Sequence, residues 1–209
     1  IINSLQKQNQ YQATIDSVKD DLTINLDDLK NIDYNHIELK DFKSIELKDI
    51  SFKYPDKKEF ILENFFLQIN KGEYIGIIGP SGSGKSTLID IIVGLLNPEK
   101  GQISFNNQNV DTKNPEWKNL FSYVPQTVNL FNDSLFTNIT FESDEKNVDK
   151  EKLNQSIKHS GLNNFIEKHN NDLKINLGEI GGKISGGERQ RVSIARALYK
   201  NTEIIIFDE

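Results

Sequence analysis

The chain has 209 residues, a net charge of −6 and a pI near 5.2. This length suits one domain with an additional segment, and the acidic balance argues against a surface that coats nucleic acid. Cysteine is absent, which excludes disulfides and thiolate metal sites, and no apolar run is long enough to span a membrane.

The N-terminal part of the chain is polar. Residues 1–43 are rich in charged side chains with scattered apolar ones, which favours a solvated linker. We therefore predict a linker at 1–43 and a domain at 44–209. Methionine is absent, so we expect that Ile1 is not the natural start of the protein.

Strand-like alternation begins at Ser44. In SIELKDISFKY the apolar residues alternate with polar ones, but the phase changes between Leu47 and Ile50, which predicts a bulge or turn at Asp49. A second strand segment ends at a Lys-Gly turn. The apolar run Tyr74–Ile78 then predicts a buried strand.

The rest of the chain alternates helices and strands. KSTLIDIIVGLL predicts a helix, NPEKG a turn, QISFNNQNV a hairpin strand and LFSYVPQ another strand. Helical periodicity over 148–170 and in GGERQRVSIARALYK predicts further helices, and EIIIFDE predicts a last strand buried on both faces. Strands followed by helices predict a mainly parallel α/β core.

A glycine-rich loop lies between the predicted strand Tyr74–Ile78 and the first predicted helix. The segment GPSGSGKST matches G-x-x-x-x-G-K-[ST], a phosphate-binding pattern when it lies between a strand and a helix. Its glycines let N–H groups converge on phosphate oxygens, and the helix N-terminus favours an anion. Lys85 offers a positive charge to the β- and γ-phosphates, and the Ser86 hydroxyl suits Mg²⁺. The candidate nucleotide-binding residues of this loop are Gly79, Pro80, Ser81, Gly82, Ser83, Gly84, Lys85, Ser86 and Thr87.

A second pair of glycines precedes the last predicted helix. Ser185, Gly186 and Gly187 open the helix of ISGGERQRVSIARALY, and this entrance also suits an anion. On its own, the pattern fits an ordinary capped helix equally well.

Three motifs together are more specific. The Walker A loop at 79–87, the signature segment ISGGE at 184–188 and the Walker B strand IIIFDE at 204–209 resemble the ATP-binding cassette (ABC) family of transporter ATPases. The resemblance covers residues 44–209. It implies an α/β P-loop NTPase fold with a RecA-like core, an N-terminal antiparallel β subdomain and a helical signature subdomain.

The resemblance also implies ATP and Mg²⁺ as cofactors and gives roles to individual residues. Tyr54 matches the aromatic residue that stacks on adenine, and Gln126 matches the glutamine that reaches Mg²⁺ and the attacking water and touches the membrane domain. Asp208 matches the aspartate that holds Mg²⁺, mainly through water, and Glu209 matches the carboxylate that polarises water for attack on the γ-phosphate. The expected catalytic residues are Glu209, Gln126 and Lys85, and the expected Mg²⁺ ligands are Ser86, Gln126 and Asp208.

The signature segment acts across a dimer in this family. Ser185 and Gly187 would face the γ-phosphate held by a second cassette, which implies a head-to-tail dimer with two bound ATP. The commonest signature is L-S-G-G-Q, and this chain departs from it at Ile184 and Glu188. The departure at Glu188 puts a carboxylate near an anionic nucleotide, which would alter the tuning of the site.

Two stretches resemble exporter-type transporters. YVPQTVNLFNDSLFTNITF resembles the exporter segment around the glutamine, and Gly178-Glu179 lies where exporters contact the membrane domain. Residues 1–43 would then follow a membrane domain of the same chain, at the cytoplasmic face of the inner membrane, with no nucleic-acid partner. A weaker resemblance is to lipid-linked oligosaccharide or polysaccharide flippases. The alternative is a non-transport ABC ATPase of DNA repair or chromosome organisation, but the coiled-coil or zinc insertions usual in that class are missing.

The family's D-loop and switch histidine follow the Walker B strand. None of His36, His159 and His169 lies where that histidine belongs. The resemblance therefore implies further elements after Glu209 and poor hydrolysis by this chain alone.

Overall fold

The computed structural model describes residues 39–178 and 184–208. The elements of these ranges are β1 Ser44–Phe52, β2 Leu62–Asn70, α1 Lys85–Ile92, β3 Lys100–Phe105, β4 Gln108–Asn109, α2 Pro115–Asn119, β5 Phe121–Val124, α3 Leu135–Thr140, a 3₁₀ turn Glu145–Asn147, α4 Lys150–Ser160, α5 Asn163–Lys168, α6 Gly186–Lys200 and β6 Ile204–Phe207. The predicted linker at 1–43 lies almost entirely outside the described residues.

An antiparallel sheet with the strand order β2–β1–β3–β4 forms the N-terminal side of the described chain. β1 pairs with β2 and with β3, and both pairings shift register around Asp49, whose φ is +54°. This bulge lets Leu47 and Ile50, which are three positions apart, both be fully buried. The predicted bulge at Asp49 is confirmed.

β3 and β4 form the predicted hairpin. Asn106 and Asn107 connect the two strands with φ of +51° and +67°, as a two-residue type I′ turn requires. The Oδ1 atom of Asn106 also accepts hydrogen bonds from the N–H groups of Lys43 and Ser44, at 2.8 and 3.1 Å. The turn therefore ties the hairpin to the start of β1.

The antiparallel sheet packs against α1 and α2 in one apolar core. Trp117 of α2 is fully buried, and its Nε1 donates a hydrogen bond to the carbonyl of Ile92 at 2.9 Å. On α1, Leu88 and Ile91 point into the same core. This packing fixes the position of α1, and with it the glycine-rich loop from which α1 starts.

A second core lies among the helices in the C-terminal half of the described chain. Its buried members include Leu135, Ile139, Leu153, Ile157 and Val192, which come from α3, α4 and α6. This helical cluster corresponds to the predicted helical signature subdomain. None of the helices in the described ranges has both the length and the apolar character needed to cross a membrane.

β5 and β6 form a parallel pair in which Phe121 lies opposite Ile204 and Val124 opposite Phe207. The predicted parallel arrangement is confirmed for these two strands. The burial of β6 is less than predicted, because its isoleucines are half-buried and Phe207 is 56% exposed.

The predicted buried strand Tyr74–Ile78 is not formed. None of the described strands pairs with this segment, and Tyr74 and Ile78 are 101% and 95% exposed. An apolar run becomes a buried strand only where a neighbour takes up its backbone N–H and C=O groups. The prediction was wrong because the run shows only the preference of the segment, whereas a strand also needs a partner.

Candidate functional site

The glycine-rich loop runs into the N-terminus of α1. Gly84 is the N-cap residue of this helix and has a left-handed conformation with φ of +88°. A Cβ at this position would be strained and would lie 2.7 Å from Cγ2 of Ile61, so the turn into the helix requires glycine. No side chain caps α1 at Gly84, which leaves the first N–H groups of the helix available to an anion.

The positively charged ammonium group of Lys85 lies against the backbone of this loop. Its Nζ atom donates hydrogen bonds to the carbonyl oxygens of Gly79 and Pro80, both at 2.9 Å. The loop is tight, since a Cβ on Gly79 would lie 2.7 Å from Oγ of Ser83. The ammonium group therefore lies against the backbone of the glycine-rich loop, next to the N-terminus of α1.

Tyr54, the candidate adenine-stacking residue, lies beside the loop. Its hydroxyl is 3.3 Å from Oγ1 of Thr87, and its ring meets Phe52 edge-on, with 5.1 Å between the ring centroids. Tyr54 is 37% exposed, whereas Thr87 is buried. The fold thus brings a partly exposed aromatic ring next to the start of α1, although the two are distant in the sequence.

Asp208 follows β6 and is held from two directions. Its N–H donates to the carbonyl of Val124 at 3.0 Å, and its Oδ2 accepts a hydrogen bond from the hydroxyl of Tyr123 at 2.5 Å. Burial, together with this bond and the charge of Asp208, raises the pKa of Tyr123 to about 12. The sequence did not single out Tyr123, because only the register between β5 and β6 brings it to Asp208.

Asp90 is a further acidic residue that sequence reasoning missed. It lies on α1, four residues after Ser86, so the two side chains share a face of the helix. Burial and, secondarily, the charge of Asp208 raise the pKa of Asp90, because two nearby carboxylates resist being charged together. Asp90 therefore lies close enough to Asp208 for the two charges to interact. The four-residue spacing from Ser86 was the available sequence signal.

Ser185 begins α6 with a capping box. Its Oγ accepts a hydrogen bond from the N–H of Glu188 at 3.3 Å, and the Glu188 carboxylate accepts from the N–H and Oγ of Ser185 at 2.8 and 2.7 Å. These bonds lower the pKa of Glu188. The departure from the commonest signature at Glu188 therefore has a structural role, since this side chain caps the helix. Gly186 and Gly187 form the exposed first turn, with open space around the position of a Cβ on Gly187.

α6 is tied to the segment after Gln126 by Arg196. The guanidinium donates hydrogen bonds to Oδ1 of Asn138 at 2.8 Å, to the carbonyl of Asn129 at 2.7 Å and to the carbonyl of Asn138. Asn138 is fully buried. Sequence reasoning did not single out Arg196, since nothing in the local sequence shows where its side chain reaches.

Two exposed aromatic rings cover this arginine. The ring centroids of Phe131 and Phe141 lie 5.7 and 5.2 Å from Cζ of Arg196, within the range of cation–π attraction. Both phenylalanines are more than half exposed. Burial lowers the pKa of Arg196, although a guanidinium remains charged at neutral pH.

Of the remaining predicted site residues, only some lie within the described part of the chain. Gln126 is exposed and follows β5 directly after Pro125. Glu209 lies outside the described residues, and so does Glu179 of the predicted exporter loop. The described structure thus gathers Tyr54, the loop and Asp208 around α1, and it places the signature residues on α6 in the helical cluster.

The residues predicted to hold Mg²⁺ offer oxygen atoms only. They are the Ser86 hydroxyl, the Gln126 amide and the Asp208 carboxylate. This set suits Mg²⁺, which is commonly held by one or two carboxylates, substrate phosphates and water. Within the described ranges, no cluster of three or more His, Asp or Glu side chains could hold a metal ion.

A G-x-x-x-x-G-K-[ST] loop that opens a helix, in a chain whose parallel strand β6 is followed directly by an aspartate, is typical of the class of P-loop nucleotide-binding ATPases. The sequence model of the ABC transporter family matches residues 62–209. The chain belongs to the ABC transporter family and is its ATP-binding domain. This match confirms the predicted fold class and the predicted ATPase family.

Similar proteins are exporters. The chain is 37% identical to an export ATP-binding/permease protein of Rickettsia conorii, with 84% of this chain and 31% of that protein covered. It is 36% identical to the ATP-dependent lipid A-core flippase of Francisella novicida, with 79% of this chain and 28% of that protein covered. A bacterial Atm1-family ABC exporter, solved with ATP bound, aligns with a TM-score of 0.70 and 32% identity over 81% of this chain and 29% of that one. The chain spans less than a third of the length of these relatives.

Proposed function

We propose that this chain is the ATP-hydrolysing domain that powers a membrane exporter. The observation that carries the proposal is the arrangement around α1, where Lys85 and the glycine loop lie at the N-terminus and Asp208 lies near the face of Asp90. The similarity to exporters supports the transport role. The alternative, an ATPase of DNA repair or chromosome organisation, leaves this similarity unexplained.

ATP binds along the loop at 79–87 in this proposal. The backbone N–H groups and Lys85 bind the phosphates, and the ring of Tyr54 stacks on adenine. Its position 3.3 Å from Thr87 supports this role, because it places an aromatic face close to the phosphate site. Stacking on the base and charge on the phosphates would together orient the nucleotide.

Hydrolysis needs the residues at the ends of β5 and β6. Ser86 on α1, Gln126 after β5 and Asp208 after β6 would hold Mg²⁺, which would supply positive charge at the phosphates of ATP. Glu209 polarises the attacking water for in-line displacement at the γ-phosphate. The order of the two residues after β6 supports these separate roles for Asp208 and Glu209. The carboxylate of Asp208 is anchored to β5, and Glu209 is the next residue in the chain.

A second ABC domain completes the site in this proposal. Ser185, Gly186 and Gly187 lie exposed at the start of α6, where backbone donors and the helix dipole favour an anion. In a head-to-tail dimer they face the γ-phosphate bound by the partner cassette. The open space around Gly187 supports this arrangement, because a close approach of the nucleotide would meet no side chain there.

The other partner is a membrane-spanning domain, which the helical cluster would contact. The relatives include proteins named as both ATP-binding and permease, and this chain covers less than a third of their length. The exposed rings of Phe131 and Phe141, near the segment after Gln126, offer an apolar contact for such a domain. Residues 1–43 would connect the two domains, and the ATPase would lie at the cytoplasmic face of the membrane. The flippase relatives support a lipid-linked glycan as the substrate.

The test uses Glu209→Gln in the intact protein. We expect this variant to bind MgATP with an affinity close to that of the wild type, to stop hydrolysing it and to accumulate a closed dimer. Turnover at the wild-type rate would remove Glu209 from the catalytic role. Stimulation of the wild-type ATPase by lipid-linked glycans, but not by other lipids, would support the substrate class, and an equal response to both would contradict it.

A further inference from the structure

The Tyr123 hydroxyl makes a short hydrogen bond to a carboxylate that the proposed function places on Mg²⁺. The distance from the phenolic oxygen to Oδ2 of Asp208 is 2.5 Å. Tyr123 belongs to none of the three nucleotide motifs, and it reaches Asp208 because β5 and β6 run parallel with Tyr123 opposite Ile206. The contact therefore follows from the strand register.

Asp208 is held at both its backbone and its side chain. The β5 carbonyl of Val124 accepts the Asp208 N–H at 3.0 Å, and Tyr123, on the same strand, donates to the carboxylate. A carboxylate has two oxygens and about four acceptor positions. The bond from Tyr123 uses one position on Oδ2 and leaves Oδ1 to face a hydrated cation.

A second carboxylate near Asp208 gives the hydrogen bond from the Tyr123 hydroxyl a purpose. Asp90 on α1 lies close enough to Asp208 for their charges to oppose each other. The hydrogen bond from Tyr123 holds the Asp208 carboxylate in place against this repulsion. A phenol is neutral, so it can fix the orientation of the carboxylate without cancelling the negative charge that attracts Mg²⁺.

We propose that Tyr123 is a positioning residue that orients the Asp208 carboxylate towards the Mg²⁺ of bound ATP. This inference rests on the proposed function, because Asp208 must hold Mg²⁺ for its orientation to matter. Tyr123 itself touches neither the nucleotide nor the metal in this proposal. Its contribution should therefore be visible in Mg²⁺ affinity and not in the affinity for nucleotide alone.

The test is Tyr123→Phe in the intact protein, which removes one hydroxyl. The binding of a fluorescent ATP analogue is measured in EDTA and then across a Mg²⁺ titration. A hydrogen bond to a charged group contributes enough to change an equilibrium constant about tenfold. We expect the Mg²⁺ concentration at half-saturation to rise about threefold to tenfold, while the affinity measured in EDTA stays the same.

The matched control is Tyr199→Phe, which removes a hydroxyl from α6, where the Tyr199 ring lies against Lys152. We expect its Mg²⁺ titration to match the wild type. A Tyr123→Phe titration that is unchanged, or shifted to lower Mg²⁺, would overturn the role of Tyr123 alone. If the wild type itself shows no Mg²⁺-dependent binding, both this inference and the proposed function fail. A change in the EDTA affinity as large as the Mg²⁺ shift would indicate a general structural effect and would also overturn the inference.

Discussion

Replacing Asn138 by alanine should destabilise the helical cluster strongly. The fully buried amide of Asn138 donates hydrogen bonds to the carbonyls of Ser134 and Phe131 at 2.9 and 3.1 Å. Its Oδ1 accepts from the N–H of Phe131 at 2.9 Å and from Arg196 at 2.8 Å. A methyl group can replace none of these bonds.

The size of the effect follows from the groups that lose their partners. The N–H of Phe131 and one N–H group of the Arg196 guanidinium lose their acceptor in this partly buried network, and each unsatisfied group costs about 1–3 kcal/mol. We therefore expect a loss of about 3–5 kcal/mol in the free energy of unfolding. For a chain of this size, that corresponds to a fall of roughly 6–20 °C in Tm.

The assay is urea and thermal unfolding followed by far-ultraviolet circular dichroism, which reports on the helices of this cluster. The matched control is Asn154→Ala on the exposed side of α4, which should change stability by about 0.5 kcal/mol or less. If Asn138→Ala were no more destabilising than this control, the buried network between Asn138 and Arg196 would not contribute as described.

Three further predictions concern single positions. Gly84→Ala should weaken ATP binding at least about tenfold, because the left-handed φ and the contact with Ile61 forbid a Cβ there; titration with a fluorescent nucleotide checks this, and unchanged affinity would contradict it. Trp117→Phe should lower the free energy of unfolding by about 1–3 kcal/mol, since the bond to the Ile92 carbonyl is lost in a buried site; circular dichroism in urea measures it, and an unchanged midpoint would refute it. The folded-state pKa of Glu188 lies below its ordinary value of 4.5, so its contribution to stability is present above that pH and is lost as the pH falls through the lowered pKa. Glu188→Gln should therefore lower Tm at pH 7 but not at strongly acidic pH, and an equal deficit at both would be inconsistent with this linkage.

The sequence predicted those parts of the site whose chemistry lies in consecutive residues. The loop at 79–87 was found because glycines, a lysine and a hydroxyl must follow one another for one loop to bind phosphate. Asp208 was identified because IIIFDE resembles a Walker B strand, in which the acidic pair directly follows the apolar residues. The bulge at Asp49 was predictable for the same reason, since a change in alternation is visible along one strand.

The remaining features depend on distant parts of the chain. Tyr123 reaches Asp208 only through the register of β5 and β6, and Arg196 meets Asn138 only where two helices pack. The segment Tyr74–Ile78 has the composition of a buried strand but no pairing within the described residues. Composition reports the preference of a segment, whereas pairing and packing depend on what lies beside it.

The most direct test of the account is ATP binding by Lys85→Ala in the intact protein. Lys113→Ala, a change of an exposed lysine in the loop before α2, is the matched control. We expect that removing the Lys85 ammonium, which donates to the carbonyls of Gly79 and Pro80, weakens ATP binding at least about tenfold, whereas the control binds like the wild type. Equal ATP affinity in both variants and the wild type would contradict the assignment of this loop as the phosphate site.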